Sequence, residues 1–275
     1  METLNKVVEN LIHQNGTTSE SDGEHCEECG TLIPPLKIFI LGKERWVQPV
    51  CECYQKKMLQ EREVFQNYQK KREVERLFSI SDIGERYQEA SFNEFVMRKG
   101  AENAFKAATH YAENFTAYKL QSLILYGVPG NGKTHLAASV HNHLQKQGKI
   151  SIFVRMPDLL GKIRATFDKG KQESEEQILK ALSICDLLII DDLGAEKLTD
   201  WVEDILYRII DGRYRMKKPV MATSNLDPEL LDGKLGRRIY DRLEEMSQPI
   251  ENKATSYRRE KAKLRTTKFK KFLEE

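Results

Sequence analysis

The residues Gly127-Val128-Pro129-Gly130-Asn131-Gly132-Lys133-Thr134 fit G-x-x-x-x-G-K-[ST], the P-loop pattern. In such a loop the glycines let backbone N–H groups curl around phosphate oxygens, and the helix that follows adds the positive end of its dipole. A lysine at the position of Lys133 reaches the β- and γ-phosphates, and a hydroxyl at that of Thr134 meets Mg²⁺. The apolar run Leu123–Tyr126 comes before the loop and a helix is predicted to start near His135, which is the strand–loop–helix setting the pattern requires. Gly127, Pro129, Gly130, Asn131, Gly132, Lys133, Thr134 and His135 are therefore the expected nucleotide contacts, with ATP and Mg²⁺ as ligands.

Leu187-Leu188-Ile189-Ile190-Asp191-Asp192 reads as a buried strand ending in two carboxylates. P-loop NTPases place an acid at such a strand end to hold Mg²⁺, with a neighbouring group to orient the attacking water. Asp191 is assigned to the metal, beside Thr134, and Asp192 is the candidate base. His135, His141 and His143 form no nucleophile–histidine–acid constellation that competes with phosphoryl transfer.

Four of the five cysteines pair as Cys26-x-x-Cys29 and Cys51-x-Cys53. Two close pairs in a short segment predict a closed, four-thiolate Zn²⁺ site rather than disulfides, with His25 as a substitute ligand and reduced free thiols as the alternative. A module this small needs a metal to fold. Cys185, ahead of the acid-bearing strand, reads as a small buried residue.

Other elements must position these groups. Leu123–Tyr126, Ile150–Val154, Leu187–Ile190 and Pro219–Thr223 have the length and boundaries of buried parallel strands, and they alternate with helical patterns. That alternation predicts an α/β fold, a parallel sheet flanked by helices. Residues 2–14 carry one apolar stripe of a short helix, 16–24 read as a linker, and Tyr54 to about Phe78 as a long exposed helix. The expected modules are 1–80, zinc-binding; 81–260, nucleotide-binding; and 261–275, a basic tail.

The chain has 275 residues, and Lys+Arg 44 against Asp+Glu 42 leaves a net charge of +2, which by itself implies no polyanionic partner. The distribution is less even, reaching +7 between Arg258 and Lys271. That segment reads either as a contact for DNA phosphates or as a solvated terminus. No stretch reaches the roughly 18 apolar residues of a membrane span, and METLNKVVEN lacks the form of a signal peptide, so a reducing cytoplasm without membrane insertion is expected.

Taken together and in order, GVPGNGKTHLA, LLIIDDLGAEK, MATSNL, GRRIYDRL and TSYR resemble the DnaC/DnaI replicative-helicase loaders, AAA+ ATPases related to the transposition helper IstB, over roughly residues 90–260. The resemblance implies an AAA+ core, slow switch-like ATP hydrolysis and self-association through the ATP site. It implies that Asn225 is the sensor 1 residue and that Arg258 reaches its own subunit's nucleotide. Arg242 or Arg238 would then be the arginine finger on a neighbour's. It also implies a single-stranded DNA grip on residues 156–171, where Lys162, Arg164, Lys169 and Lys171 are the basic candidates. The implied function is loading of a DnaB-type hexameric helicase onto single-stranded DNA in replication, with residues 1–80 docking on the helicase, although zinc modules also bind nucleic acid. An IstB-like transposition helper and a non-hydrolysing nucleotide-binding scaffold are the alternatives.

Overall fold

The computed structural model describes residues 23–40, 42–78, 83–117, 121–167 and 174–274. The expected helix over 2–14, most of the 16–24 linker, and Lys169 and Lys171 lie outside them. Contacts divide the chain into two compact units, residues 1–69 and 70–275.

The first unit holds two antiparallel pairs, β1 (Glu24–His25) with β2 (Leu32–Ile33) and β3 (Leu36–Ile40) with β4 (Lys43–Val47), and then most of helix α1 (Glu52–Leu77). Among its described residues none is buried. Its apolar content is too thin for a core, so something other than apolar packing must hold the strands in place.

The second unit is built on five parallel strands in the order β6 (Ser151–Arg155), β7 (Leu187–Asp191), β8 (Val220–Ser224), β5 (Ser122–Tyr126) and β9 (Ser247–Glu251). The four strands expected from the sequence are present, each within a residue of its expected bounds. Because the inner strands are covered on both faces, they read as continuous apolar runs, and successive residues alternate between two cores. Ile124, Ile152, Leu188, Ile190 and Ala222 pack with α4 (Met156–Ala165), α5 (Glu175–Ile184), α6 (Asp200–Arg215), α7 (Pro228–Leu235) and α8 (Arg237–Met246). Leu125, Phe153, Ile189 and Met221 pack on the other side with α2 (Glu102–Glu113) and α3 (Lys133–Lys146). Val74 and Leu77, at the end of α1, join the first of these cores.

The order of strands decides where the chemistry falls. From β5 the chain crosses to the far edge at β6, returns through β7 and β8 to lie beside β5, and ends with β9 on β5's other side. The carboxyl ends of β5, β8 and β7 are therefore neighbours at the point where the winding reverses, the place where open α/β sheets bind ligands. Strand β9 was not expected. Its sequence SQPIE is polar and contains Pro249, which only an edge strand accommodates, and β9 pairs with β5 alone. The last helix, α9 (Tyr257–Glu274), follows it. Among the described residues no helix is long and apolar enough to cross a membrane.

Candidate nucleotide site and metal centre

The loop after β5 closes on its own lysine. Lys133, only 4% exposed, places Nζ 2.8 Å from Gly127 O, 3.0 Å from Val128 O, 3.2 Å from Asn131 Oδ1 and 3.0 Å from Asn225 Oδ1. Gly127, Gly130 and Gly132 all have positive φ, and the packing leaves no room for a side chain at any of them. A Cβ on Gly127 would lie 2.5 Å from Asn252 O, and one on Gly132 would lie 2.7 Å from the Phe95 ring. Asn131 donates through Nδ2 to Asn252 O at 2.7 Å, and Asn252 returns a bond to Asn131 O at 3.2 Å, which ties the loop to the segment after β9. Helix α3 starts at Lys133, so its amino end faces the site.

Strands β7 and β8 bring in the acids. Thr223 Oγ1 donates to Asp191 Oδ1 at 2.7 Å and accepts the N–H of Asp192 at 3.0 Å. Asp192 has φ 58°, a conformation that turns the chain away from the strand. Asn225 Nδ2 donates to Asp192 Oδ1 at 3.2 Å while its Oδ1 accepts from Lys133, so Lys133, Asn225 and Asp192 form one chain of hydrogen bonds. Thr134 stands beside Asp191 and favours its charged form. Asp191 is 2% exposed, and its burial raises the carboxyl above the ordinary range, against the hydrogen bond from Thr223. A buried carboxylate and hydroxyl side by side are hard oxygen donors that suit Mg²⁺.

Two hollows of about 290 and 690 Å³ share Thr134, Asp192 and Arg258 in their linings. Asn225 and His135 line the smaller and Asp191 the larger. His135 turns its ring to Ser91 O at 2.9 Å and packs against Phe95. Arg238 and Arg242 line neither hollow. Arg242 Nε donates to Asp211 Oδ1 at 2.8 Å and its NH2 to the Tyr207 hydroxyl at 3.1 Å, while Arg238 stacks on the Tyr207 ring at 4.4 Å. In α4, Lys162 donates to Leu77 O and stands 4.9 Å over the Phe78 ring, and Arg164 stacks on Trp201 at 4.6 Å.

Sequence reasoning missed Thr223, whose role depends on a cross-strand register that no local pattern encodes. It also missed Arg98, 12% exposed, which donates to Asn131 O at 2.7 Å and to Thr255 O. A basic residue ahead of the loop gave no signal by itself.

Two consequences are measurable here. Burial pushes the Lys133 ammonium down to about 8, against the pull of Asp192 and Asp191. Phosphates favour its charged form, so in the nucleotide complex the group titrates higher. Nucleotide affinity should thus be flat below pH about 8 and fall by up to tenfold per pH unit above it, since the free lysine must then gain a proton to bind. A titration with a fluorescent ATP analogue checks this, and Lys133→Arg should abolish the slope; a flat wild-type profile contradicts it. Thr223→Val removes the bond to Asp191, and loss of such an outer partner costs roughly 10–100-fold in metal affinity or activity. The Mg²⁺ concentration for half-maximal turnover should rise accordingly, and an unchanged Mg²⁺ dependence would count against that role.

In the first unit, the Sγ atoms of Cys26, Cys29, Cys51 and Cys53 all lie within 4.8 Å of one another, with closest separations of 3.4 and 3.5 Å. A tetrahedron with Zn–S of about 2.3 Å has edges of about 3.8 Å, so the cluster fits zinc. The turn Cys26–Gly30 is closed by Gly30 N–H to Cys26 O at 2.8 Å, and Cys51 and Cys53 flank the start of α1. The Cys29 thiol is held at about 6, chiefly by its hydrogen bond with Thr31, which favours a thiolate. His25 instead pairs its Nδ1 with Gly30 O at 3.0 Å and is not among the clustered ligands. Cys185 is buried, as expected.

Comparison with known proteins gives these features a setting. The family described as IstB-like ATP binding protein matches residues 54–265, beginning just after Cys53. A replicative helicase loader DnaC from Buchnera aphidicola subsp. Acyrthosiphon pisum is 34% identical over 171 residues, 62% of this chain and 69% of the relative. A crystal structure of the DnaC helicase loader superposes with a TM-score of 0.56 at 27% identity, covering 62% of this chain and all of that one. A crystal structure of DnaI does so with a TM-score of 0.52 at 28% identity, covering 62% and 92%.

Proposed function

The chain belongs to the IstB-like ATP-binding protein family, as a homologue of the DnaC and DnaI helicase loaders, and from this premise we propose that it loads a replicative hexameric helicase of DnaB type onto single-stranded DNA under the control of ATP. The observation that carries the reading is the Lys133–Asn225–Asp192 chain beside Asp191 and Thr134, in a core that matches the whole chain of a DnaC loader crystal structure.

The proposed reaction is ATP hydrolysis. Water attacks the γ-phosphorus, the bond to the bridging oxygen breaks, and ADP and phosphate leave. Asp192 Oδ1 is held by Asn225, which leaves Oδ2 to take the water's proton. Lys133 and the loop's N–H groups stabilise charge on the phosphate oxygens. Thr134 and Asp191 would hold Mg²⁺, which would supply neutralising charge to the phosphates when bound. Arg258 lines both hollows and acts on its own subunit's nucleotide. Arg242 and Arg238 lie away from the hollows, which agrees with a role on a neighbour's nucleotide in an oligomer. Slow turnover, used as a switch, suits this role.

In this reading residues 1–80 dock on the helicase, 81–260 form the ATPase domain, 261–275 form a basic tail, and the protein works in the cytoplasm. The family's own description favours a second reading, an ATPase helper of transposition. The cysteine cluster upstream of the family match argues for the loader, because IstB-like helpers generally lack such a module. A non-hydrolysing scaffold would have no use for the pair of acids at the end of β7. The test is transfer of a DnaB-type helicase to circular single-stranded DNA, where the helicase cannot thread over an end. Loading that requires this protein and ATP supports the proposal, and helicase that reaches the circles equally well without it overturns it.

A further inference from the structure

Most of the described basic residues of α9 are without an ion pair. Among the described residues, Arg259, Lys263, Arg265, Lys268 and Lys270 make no ion pair, and Glu260, the acid near them, is taken by Arg98 at 3.7 Å and by Thr255. Arg259 and Lys263, and Lys261 and Arg265, stand as like charges at i, i+4, a spacing that repels. At 100° per residue Arg265, Lys268 and Phe272 fall within a sector of about 60°, so that cations and an aromatic ring interleave along one face, while Lys261 stands 4.9 Å over the Tyr257 ring. Phe272 is 70% exposed, and Phe269, 62% exposed, borders it with ring centroids 6.4 Å apart. Leu264, Phe269, Phe272 and Leu273 lie on one half of the helix, but Arg265 and Lys268 share that half, so it is not the clean apolar face that a membrane surface takes. The cations of α4 are, by contrast, already committed to Leu77, Phe78 and Trp201.

The other end of α9 is fixed to the nucleotide loop. Tyr257 N–H donates to Gly130 O at 2.9 Å, and a Cβ on Gly130 would lie 2.4 Å from Ser256 Oγ. Arg98 joins Asn131 O to Thr255 O and stacks on Tyr257 at 5.3 Å.

We propose that α9 is a single-stranded nucleic-acid-binding arm, its cations on phosphates and its phenylalanines on bases, and that its first turn couples this grip to the nucleotide loop. The inference rests on the reading of the chain as a nucleotide-controlled protein that acts on DNA. Strands without fixed sequence are held by such interleaving of charge and stacking, and two ligands coupled through one element change each other's affinity by the same factor.

The test is fluorescence anisotropy of the full chain with a twenty-nucleotide oligo-dT and with a duplex of equal length, across roughly 50–200 mM salt. Changing Lys263, Arg265, Lys268 and Lys270 together to Gln should weaken oligo-dT binding at least tenfold at mid-range salt and lower the salt slope by about 2 to 3, while ATP-analogue binding is unchanged. Phe269→Ala with Phe272→Ala should weaken oligo-dT binding about fivefold or more and leave duplex binding as it was. Wild-type affinity for oligo-dT should differ about fivefold or more between an ATP analogue and ADP, a coupling within the usual range. Unchanged affinity and slope in the Gln variant would overturn the assignment to α9 but leave the DNA-acting reading standing. Equal affinity in both nucleotide states would overturn the coupling. A wild-type chain that ignores oligo-dT, or that sediments only with anionic vesicles, would sink both the arm and the DNA-acting reading.

Discussion

Lys133→Ala should cost two to three orders of magnitude in ATP turnover while leaving the melting temperature of the core nearly unchanged. The loss is large because Lys133 is the cation that the loop's carbonyls and Asn225 hold in place, and removing a single preorganised charge-stabilising donor costs roughly 10²–10³ in rate. Stability is largely spared because two of the acceptors it leaves, on Asn131 and Asn225, line the smaller hollow, which water can enter. Phosphate release and a thermal melt measure the two halves separately. Turnover within tenfold of wild type would mean that the loop is not the catalytic phosphate site.

Removing zinc should have an effect as large on the first unit and a small one on the second. None of the described residues in 23–69 is buried, so no apolar core stands behind the cysteine cluster. In such a module the metal's binding free energy is the folding free energy, about 10–16 kcal/mol for structural zinc near pH 7. Chelation, or Cys26→Ser with Cys29→Ser, should therefore open residues 23–69 to proteolysis while the core keeps its melting temperature and its nucleotide affinity. Metal analysis of the intact chain should give one zinc per chain. A chelated protein whose amino-terminal segment resists protease like the untreated one would show that the thiols need no metal.

Much of this was legible before any coordinates. The loop and the strand ending in Asp191 and Asp192 are dense local patterns, and buried parallel strands advertise themselves as apolar runs. What stayed hidden depends on register or on distant partners. Thr223 matters because β8 lies beside β7 with Ile190 opposite Ala222, which brings its hydroxyl to both acids. Asn252 and Arg98 hold the loop from segments far away in the chain. Strand β9 carries polar residues and a proline, and its strand character comes only from pairing with β5. Lys162 and Arg164 read as free cations in the sequence, yet the fold gives each an aromatic neighbour. Charge patterns show which residues can bind phosphate, and tertiary contacts decide which remain available for it.

The most direct test of the loader account is size-resolved mixing of the intact chain with a DnaB-type helicase, with ATP, with ADP, and with Cys51→Ser and Cys53→Ser together. The account predicts a complex whose amount depends on which nucleotide is present and which is lost when the cysteines are replaced. No complex with the helicase in any nucleotide state would contradict it and shift the assignment to the transposition helper.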